Sequence, residues 1–323
     1  MVQGAGYRVP RREAEAARQR LLDLGVLRMD LTVARDGDDV LFPLVEGCGP
    51  MIATEPWDFE ARTVRPKDYQ SLLPEKLRAT APRAFDQLGD ILIVKVPDGY
   101  PEEPLGQAML AFHNARAVFA DGGVKGPYRV RALRRIAGTG NSLTQVQENG
   151  VKLWVDPGRA YFSPRLAGER ARIASLIQPG ERVVDLFGGV APMGIQAALR
   201  GATVTSVDIN ADACNLAQRN VDENGVTKLV KIVEGDAAVA AAALRADRLI
   251  MNLPHGGKEF LHLVATILPN GTLHYHEILP AERLQERRLE LAKMWQGATC
   301  TFRTVRQYSP QEVHAAFDVT IPS

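Results

Sequence analysis

The chain has 323 residues, of which 46% are hydrophobic and 24% are charged, and its formal net charge is +1. This length and composition indicate a soluble globular protein of two or three domains. No apolar run approaches the ~18–20 residues that a membrane span requires, which excludes a membrane-spanning protein. The N-terminus lacks the apolar core of a signal peptide, so we expect a cytoplasmic protein.

The first elements predict a small α/β module, which we place at residues 1–53. They are a helix over 11–24, strands over 31–33 and 40–45, and a turn at 35–38. Gly25 follows the helix, as is common after a last helical turn. The Gly- and Pro-containing segment 47–56 predicts a linker to the next domain.

A mixed α+β domain with basic strands, suited to RNA binding, is predicted over residues 62–156. Its elements are strands over 91–96, 117–119 and 129–133, a helix over 105–114 and a hairpin over 145–155. Asn149-Gly150 stands at the turn of the hairpin. This pair favours a two-residue type I′ turn, because both central residues of that turn have positive φ.

The small net charge conceals a difference between two neighbouring segments. Residues 125–182 contain eleven lysines and arginines against four acids, a net charge of +7, whereas residues 183–261 carry −2. A basic segment of this kind suits a polyanionic substrate. The alternative is an ordinary solvated helix face.

Four apolar strands in the last part of the chain each end in a polar residue that could bind a ligand. These residues are Asp185, Asp208, Asp236 and Asn252. A Gly-rich turn follows the first strand and leads into a helix, as in open α/β sheets that bind nucleotide-like ligands. We therefore expect the four side chains to converge on one crevice. The alternative is an ordinary sheet with acids at its strand ends by chance.

The ligand that this pattern favours is an adenosine without phosphates. The chain has neither the G-x-G-x-x-G fingerprint of dinucleotide sites nor a G-x-x-x-x-G-K-[ST] phosphate loop. Asp208, 23 residues after Asp185, suits a ribose diol because a carboxylate can accept from both hydroxyls. Asp236, after Gly235, suits the edge of adenine. Together these features predict S-adenosylmethionine as the cofactor.

The end of the chain predicts the type of sheet. Strands over 300–305 and 315–321 would form an antiparallel pair that completes a mostly parallel sheet, the topology of class I methyltransferases. We therefore expect an α/β fold whose C-terminal Rossmann-like domain, residues 160–323, follows the small α/β module and the α+β RNA-binding domain.

We expect neither a disulfide framework nor a metal site. The three cysteines, Cys48, Cys214 and Cys300, are far apart and form no C-x-x-C pair. The histidines at 255, 274 and 276 are better explained as core or rim residues than as metal ligands.

Five separated stretches resemble the archaeal and eukaryotic tRNA (guanine-37-N1)-methyltransferase family. They are YRVRAL at 128–133, WVD at 154–156, YFSPRLAGERAR at 161–172, the loop around Asp185, and NLP at 252–254. The resemblance covers most of the chain, and the string at 161–172 is its most specific part. The helix and hairpin of the N-terminal module also resemble the first domain of the archaeal members.

The resemblance implies methyl transfer to ring N1 of a guanine in tRNA, with contacts to the anticodon stem-loop and the body of the tRNA by a monomeric enzyme. It implies that Glu169 removes the N1 proton and that Arg129 stabilises the charge on O6, with Asn252 holding the base and Pro254 fixing the backbone so that a carbonyl faces the acceptor edge. The alternatives are a salt-bridged acid for Glu169 and a phosphate clamp for Arg129. The implied cofactor-binding residues are Tyr161, Arg165, Asp185, Phe187, Gly188, Gly189, Val190, Asp208, Ile209, Asp236 and Asn252.

The chain departs from the family pattern at two positions. Ala191 stands where members usually have glycine, which is tolerated if its φ is negative. Met193 replaces an aromatic residue and can still pack against the cofactor, because methionine adapts to irregular pockets. These departures affect the expected affinity for the cofactor and leave its identity unchanged.

Two other functions are compatible with parts of the pattern. The sister family of wybutosine biosynthesis transfers an aminocarboxypropyl group from the same cofactor, but a different string replaces Ser-Pro-Arg-Leu-x-Gly-Glu there. Methylation of a wyosine-precursor guanosine could accompany the main reaction. A non-catalytic RNA-binding module is disfavoured because Asp185, Asp208, Asp236 and Asn252 are all present.

Overall fold

The computed structural model describes residues 1–48, 52–62, 66–126 and 128–323. The chain divides into two compact units, Met1–Ser71 and Leu72–Ser323. The second unit holds both the middle elements and the cofactor sheet. No helix in the described part of the chain is long and apolar enough to cross a membrane.

The N-terminal unit is an antiparallel sheet with one helix. Its elements are β1 (Val2–Pro10), α1 (Ala14–Asp23), β2 (Ala34–Asp36), β3 (Asp39–Leu44) and β4 (Glu55–Phe59). The strands are ordered β2-β3-β1-β4. Leu21 of α1 packs into a small core with Phe42 and Leu44 of β3. The helix and the turn between β2 and β3 agree with the sequence prediction.

Strand β1 is an element that the sequence pattern does not predict. Its two glycines, Gly4 and Gly6, interrupt the apolar alternation by which a strand is recognised. The structure explains Gly6, because a Cβ there would lie 3.2 Å from the ring of Phe59 and 3.3 Å from Cβ of Trp57. The glycine allows β4 to pack closely on β1.

Two further expectations for this unit are corrected. Leu31, in the strand expected at 31–33, forms only an isolated bridge to Ala61. In the segment expected as a linker, Glu55 and Pro56 belong to β4 and pair with β1, and residues 49–51 lie outside the described residues. The first sheet therefore continues beyond residue 53.

The middle elements of the second unit form a four-stranded mixed sheet. They are α2 (Glu75–Arg78), β5 (Phe85–Leu88), β6 (Ile91–Val94), α3 (Glu102–Phe112), β7 (Ala117–Lys125) and β8 (Val130–Gly138). Strands β6 and β7 are parallel and connected by α3, and the other pairs are antiparallel. A Cβ at Gly106 of α3 would lie 2.8 Å from Cβ of Ala137, so this glycine permits close packing of the helix on β8.

The cofactor sheet has seven strands in the order β13-β12-β11-β14-β15-β17-β16. The next elements of the chain are β9 (Thr144–Glu148), β10 (Val151–Val155), α4 (Ala167–Leu176), β11 (Arg182–Asp185), α5 (Pro192–Ala198), β12 (Thr203–Asp208), α6 (Ala211–Glu223), β13 (Val230–Glu234) and α7 (Ala237–Ala241). They are followed by β14 (Arg248–Met251), α8 (Val264–Ile267), β15 (Gly271–Pro280), α9 (Leu284–Met294), β16 (Thr299–Gln307) and β17 (Glu312–Ile321). Strands β11 to β15 pair in parallel, and β17 pairs antiparallel with both β15 and β16, which confirms the predicted class I topology.

The strand order creates the crevice. The chain leaves β11 toward β12 on one side of the sheet and leaves β14 toward β15 on the other. Ligands of open α/β sheets bind at the carboxyl ends of the strands where the order reverses in this way. Asp185 ends β11 and Asn252 follows β14, so these two residues flank the switch point.

The β9–β10 hairpin packs against the cofactor sheet. Asn149 and Gly150 have φ of 50° and 81°, which confirms the predicted turn. The side chain of Asn220 on α6 accepts from the amide of Trp154 at 2.6 Å and donates to its carbonyl at 3.1 Å. Asn224 bonds both backbone groups of Lys152 in the same way. The hairpin therefore extends the cofactor part of the unit.

Candidate active site

The Gly-rich loop requires its first glycine for steric reasons. A Cβ at Gly188 would lie 1.9 Å from Oγ of Ser206, and its amide donates to the carbonyl of Val207 at 2.9 Å. Gly189 has φ +57°, a conformation that glycine adopts without strain. The loop thus lies directly on β12, and its backbone borders the crevice.

Asp185 presents an unsatisfied carboxylate oxygen in this crevice. The residue is 2% exposed, and its Oδ1 finds no hydrogen-bond partner among the described residues. Burial raises the pKa of Asp185 to about 7, although the backbone amide of Phe187 opposes the shift. Since buried polar atoms are nearly always paired, this oxygen is well suited to a donor group of a bound ligand.

Asp208 connects its strand end to the Gly-rich loop. Its Oδ2 accepts from the amide of Gly189 at 2.7 Å, and its Oδ1 accepts from the amide of Asn210 at 2.9 Å. Burial raises the pKa of Asp208, and these two amides counteract that effect. Beside it, Ile209 is 54% exposed and offers an apolar surface at the rim, where a flat adenine ring could pack.

Three other predicted cofactor-binding residues have structural contacts that the sequence did not indicate. Asp236 caps α7 by accepting from the amide of Ala238 at 2.7 Å. Phe187 packs edge-on against Phe260, with ring centroids 5.0 Å apart. Val190 is buried, and its carbonyl accepts from Asn220 at 3.0 Å. Their contacts with a cofactor remain predictions.

The two predicted cofactor-binding residues of the stretch 161–172, Tyr161 and Arg165, lie in different surroundings. Tyr161 is 44% exposed, and its carbonyl would lie 3.5 Å from a Cβ on Gly189, so it borders the loop. Arg165 donates to Asp86 of β5 at 2.7 Å, and Arg131 of β8 donates to the same carboxylate. The guanidinium of Arg165 is thus engaged by the middle sheet, and a role in cofactor binding stays a prediction.

Glu169, on the first turn of α4, lies in a buried ionic network. Its side chain is 1% exposed and receives Arg172 in a two-point contact, at 2.7 and 3.0 Å. Arg303 lies 3.6 Å from Oε2, and Nε2 of His276 lies 3.8 Å from Oε1. The salt bridge of the alternative interpretation is therefore present, and the role of Glu169 as a base remains a proposal.

The Asn252-Leu253-Pro254 segment lies at the same level of the sheet as His276. Met251 is aligned with Tyr275 across β14 and β15, so Asn252 follows level with His276, whose Nε2 lies 3.8 Å from Oε1 of Glu169. Its Oδ1 is buried without a hydrogen-bond partner in the described structure. That oxygen is thus free to receive a donor from a bound molecule.

The expectation that Pro254 orients a carbonyl toward the acceptor edge needs refinement. The carbonyl of Pro254 accepts from the amide of Ile278 at 3.2 Å, and that of Leu253 accepts from the amide of Gly257 at 2.9 Å. Both carbonyls are therefore used by the protein backbone. The contact with Ile278 anchors the segment against β15, and the role of Pro254 toward the acceptor edge stays a prediction.

Arg129 has a strained backbone and a free guanidinium. Its φ is +53°, which is uncommon for a residue with a side chain and is often found at functional sites. Burial, and then the positive charge of Arg129, lowers the pKa of His255, the residue after Pro254. No carboxylate of the described residues lies within ion-pair distance of Arg129.

Most of the basic segment at 125–182 is neutralised, which the sequence did not reveal. Acids from outside the segment pair with its cations, as Asp318 does with Arg172 at 2.6 Å and Asp247 with Arg182 at 2.7 Å. Of the eleven lysines and arginines in this segment, Lys125, Arg129 and Arg135 form no ion pair with a described residue. The positive surface is thus smaller than the net charge of +7 indicates.

Ala191 does not meet the condition that the sequence analysis set. Its φ is +59° at the N-cap of α5, and its side chain is fully buried. An L-residue in this conformation costs roughly 1–2 kcal/mol. The chain therefore carries strain in the loop next to the crevice.

Sequence reasoning missed a group of buried polar residues on β15 and β17. His274 contacts Asp318 at 2.5 Å and Arg248 at 2.8 Å, and His276 lies 3.1 Å from His314. The spacing of His274 and His276 places both on one face of β15, which is the only local signal. Among the described residues, no cluster of histidines, cysteines and acids has a composition that could hold a metal ion.

Three family models match successive parts of the chain. They are the tRNA methyltransferase 5 N-terminal domain at residues 6–52, the TYW2 N-terminal domain at 69–141 and the TRM5/TYW2 methyltransferase domain at 144–300. The last match begins at the β9–β10 hairpin, in agreement with the packing of that hairpin on α6.

Known proteins resemble the chain over its whole length. The tRNA (guanine(37)-N(1))-methyltransferase Trm5b of Pyrococcus abyssi is 35% identical over 97% of this chain and 98% of its own. A structure of aTrm5 in complex with tRNALeu has a TM-score of 0.83 at 26% identity and covers 98% of this chain and 99% of its own. Methanocaldococcus jannaschii Trm5 in complex with adenosine has a TM-score of 0.68 at 25% identity, covering 99% of both chains. The chain therefore belongs to the Trm5 tRNA (guanine(37)-N(1))-methyltransferase family.

Proposed function

We propose that the protein transfers a methyl group from S-adenosylmethionine to N1 of guanosine 37 in tRNA. The observation that carries this proposal is the pair of unsatisfied buried oxygens, Oδ1 of Asp185 and Oδ1 of Asn252, at adjoining strand ends on the switch point. One side of this crevice suits an adenosine ligand, and the other holds Asn252, level with His276, which lies 3.8 Å from Glu169. Full-length similarity to Trm5b supports the choice of substrate.

The residues of the crevice fit the cofactor. Gly188 and Gly189 keep side chains away from the loop, the carboxylate of Asp208 is suited to accept hydrogen bonds from both hydroxyls of a ribose, and Ile209 offers an apolar face for adenine. S-adenosylmethionine, when bound, supplies a methyl group activated by its sulfonium. The work of the protein is thus to orient the acceptor and to make it nucleophilic.

Guanine N1 carries a proton in the neutral base, so methylation requires its removal. We assign this step to Glu169, the buried carboxylate beside His276, and we assign stabilisation of the negative charge on O6 to the guanidinium of Arg129, which has no ion-pair partner among the described residues. Asn252 holds the base edge. The residue after Pro254 is His255, whereas methyltransferases that modify exocyclic amines have an aromatic residue there, which favours a ring-nitrogen acceptor.

The target base must leave the tRNA stack to reach this crevice, at a cost of a few kcal/mol. Contacts to phosphates offset that cost, and the unpaired cations Lys125, Arg129 and Arg135 are suited to them. We assign recognition of the tRNA body to the N-terminal unit. We expect the enzyme to act as a monomer in the cytoplasm.

The test is methylation of tRNA transcripts with labelled S-adenosylmethionine, followed by mass spectrometry of the nucleosides. Transcripts with guanosine at position 37 should yield 1-methylguanosine, and matched transcripts with adenosine there should not be labelled. An aminocarboxypropyl product would instead favour the sister activity, which the match of residues 69–141 to the TYW2 model makes worth testing. Absence of any modified nucleoside would indicate an RNA-binding module.

A further inference from the structure

We propose that His276 and His314 form a proton relay that carries the guanine N1 proton from Glu169 toward the surface near His255. This inference rests on the proposed function, because it supplies the exit route for the proton that methylation releases. It assigns a catalytic purpose to two buried histidines outside the cofactor crevice.

Because Glu169 is buried, a proton that it accepts needs a route to solvent. Its side chain is 1% exposed, so a proton taken from the substrate cannot pass directly to bulk water. Its ion-pair partners, Arg172 and Arg303, cannot accept a proton, since arginine stays charged in proteins. Of the groups within 4 Å of this carboxylate, His276 can accept one.

The geometry links Glu169 to two imidazoles in series. Nε2 of His276 lies 3.8 Å from Oε1 of Glu169, and Nδ1 of His276 lies 3.1 Å from Nε2 of His314. The register pairs Ile278 with His314, so the two histidines are diagonal neighbours on one face of the sheet. A small movement that shortens the first distance completes a continuous path.

The unpaired nitrogens lie at the two ends of this imidazole pair. Nε2 of His276 and Nδ1 of His314 are buried and have no hydrogen-bond partner among the described residues. By contrast, His274 on the same strand has both nitrogens engaged, by Asp318 and Arg248. Such orphaned nitrogens are costly in a purely structural cluster, whereas a relay needs one free end to receive the proton and another to release it.

The charge environment keeps both rings neutral and therefore able to accept a proton. Burial, followed by the neighbouring His314, His274 and Arg172, lowers the pKa of His276, and Asp318 opposes the shift. Burial, with Arg306 and His255, lowers the pKa of His314 to about 4. Of these groups His255 is exposed, and it contacts Tyr308 at 3.1 Å. His314 pairs with Arg306 across β16 and β17, and Tyr308 follows two residues after Arg306, so the outer end of the path lies toward the exposed pair of His255 and Tyr308.

The proton balance of the relay is simple. As the N1 lone pair forms the new bond to carbon and the carbon–sulfur bond breaks toward sulfur, Glu169 takes the N1 proton. Protonated Glu169 then gives a proton to Nε2 of His276 while the Nδ1 proton of His276 moves to Nε2 of His314. His314 gives its Nδ1 proton to a water molecule that must enter from the side of His255, because Nδ1 is buried. Both rings end as the opposite neutral tautomer and are reset by ring rotation between turnovers.

The test is multiple-turnover methylation at saturating tRNA and cofactor, because Glu169 must lose the first proton before it can deprotonate a second guanine. Single-turnover methylation, which needs no proton exit, is the control. His314→Ala should lower the rate by about 10-fold or more, a fraction of what proton removal contributes, and added imidazole should restore it by occupying the space. His314→Gln should be equally slow and should not respond to imidazole. His274→Gln removes an equally buried histidine that the relay does not use. Any loss of methylation rate that it causes should therefore not be restored by imidazole. His262→Gln, at an exposed histidine, should match the wild type.

Several outcomes would overturn the relay. These are a wild-type rate for His314→Gln, or a slow His314→Ala that imidazole does not restore although it binds the cofactor normally. If His314→Ala does not fold, the methylation rate of the wild type is measured in mixtures of H₂O and D₂O. A relay moves several protons, so a linear dependence of the rate on deuterium content contradicts it. A wild-type enzyme that does not methylate guanosine 37 would refute the proposed function itself, and with it the relay, before any variant is compared.

Discussion

The carboxylate of Asp208 accepts a hydrogen bond from the backbone amide of Gly189 at 2.7 Å. This bond holds the end of β12 and the Gly-rich loop together directly. The same carboxylate is expected to bind the ribose of the cofactor. Binding and loop geometry are therefore coupled through one side chain, and a change at Asp208 acts on both.

We expect Asp208→Ala to weaken S-adenosylmethionine binding by roughly 1–3 kcal/mol, the effect of removing one partner of a hydrogen bond to a charged group. Loss of the contact to Gly189 adds to this effect by loosening the loop. Asp208→Asn keeps one acceptor oxygen and should fall between alanine and the wild type. Calorimetric titration measures both variants, and an unchanged dissociation constant for Asp208→Ala would remove this residue from the site.

The loop strain at Ala191 yields a prediction on stability. Ala191→Val should destabilise the protein by about 2 kcal/mol or more, because a β-branched side chain at positive φ is strained and the site is fully buried. Ala191→Gly should change stability by less than about 1 kcal/mol, since relief of strain is offset by backbone entropy and the lost methyl. Urea unfolding measures both, and a stable valine variant would contradict the left-handed geometry.

The raised pKa of Asp185 leads us to predict that the free energy of unfolding depends on pH. Its pKa is raised to about 7 by burial, whereas in the unfolded chain it ionises near 3.8. Between these values the folded state binds more protons than the unfolded state, so the contribution of Asp185 to stability falls as pH rises. Asp185→Asn should therefore gain free energy of unfolding relative to the wild type as pH rises from about 4 to about 7.

The measurement is denaturant unfolding of the cofactor-free protein at several pH values. Asp247→Asn is the opposite control, because its hydrogen bond to Arg182 lowers the pKa of Asp247. That variant should lose stability at neutral pH, and its deficit should shrink as pH falls below about 4. A difference between Asp185→Asn and the wild type that is constant with pH would show that Asp185 ionises normally.

The positions of the strand ends that border the crevice were predictable from sequence because the signal is local. An apolar run that stops at an acid or an amide marks the carboxyl end of a buried strand, and parallel pairing brings such ends together. Asp185, Asp208 and Asn252 were found in this way. The hairpin at Asn149-Gly150 was found for the same reason, since its turn chemistry is contained in two residues.

Features that depend on long-range contacts were not predictable. The charge of the basic segment was overestimated because a partner such as Asp318 is 146 residues from Arg172. The pairing of His276 with His314 joins residues 38 apart in sequence, and no local pattern marks it. Backbone conformation was also hidden, since nothing adjacent to Ala191 indicates a positive φ.

Removal of the N-terminal unit should separate tRNA recognition from cofactor binding. A chain lacking residues 1–71 should bind S-adenosylmethionine as the wild type does, because the crevice lies entirely within Leu72–Ser323. Its affinity for full-length tRNA should fall, while its affinity for an isolated anticodon stem-loop should be unchanged. A cut at residue 53 should behave worse, because it leaves β4 without β1. Loss of cofactor binding in the shorter chain would contradict a recognition role.

Arg129 and Arg135 should differ although both are unpaired cations of the same region. Arg129→Ala should slow single-turnover methylation at saturating tRNA and also weaken tRNA binding, because a guanidinium near O6 can also meet a phosphate. Arg135→Ala should weaken binding alone. Equal single-turnover rates for Arg129→Ala and the wild type would limit Arg129 to phosphate contact.

Glu169→Gln keeps the size and most of the hydrogen bonding of the side chain but cannot accept the N1 proton. If proton removal contributes the usual factor of about 10²–10⁴, single-turnover methylation should fall by that factor while tRNA and cofactor affinities stay nearly unchanged. The defect should shrink as pH rises, because hydroxide progressively deprotonates guanine N1. Glu181→Gln breaks a comparable ion pair, to Arg248 at 2.8 Å, outside the site and should retain activity. A wild-type rate for Glu169→Gln at neutral pH would leave Glu169 as the structural partner of Arg172 alone.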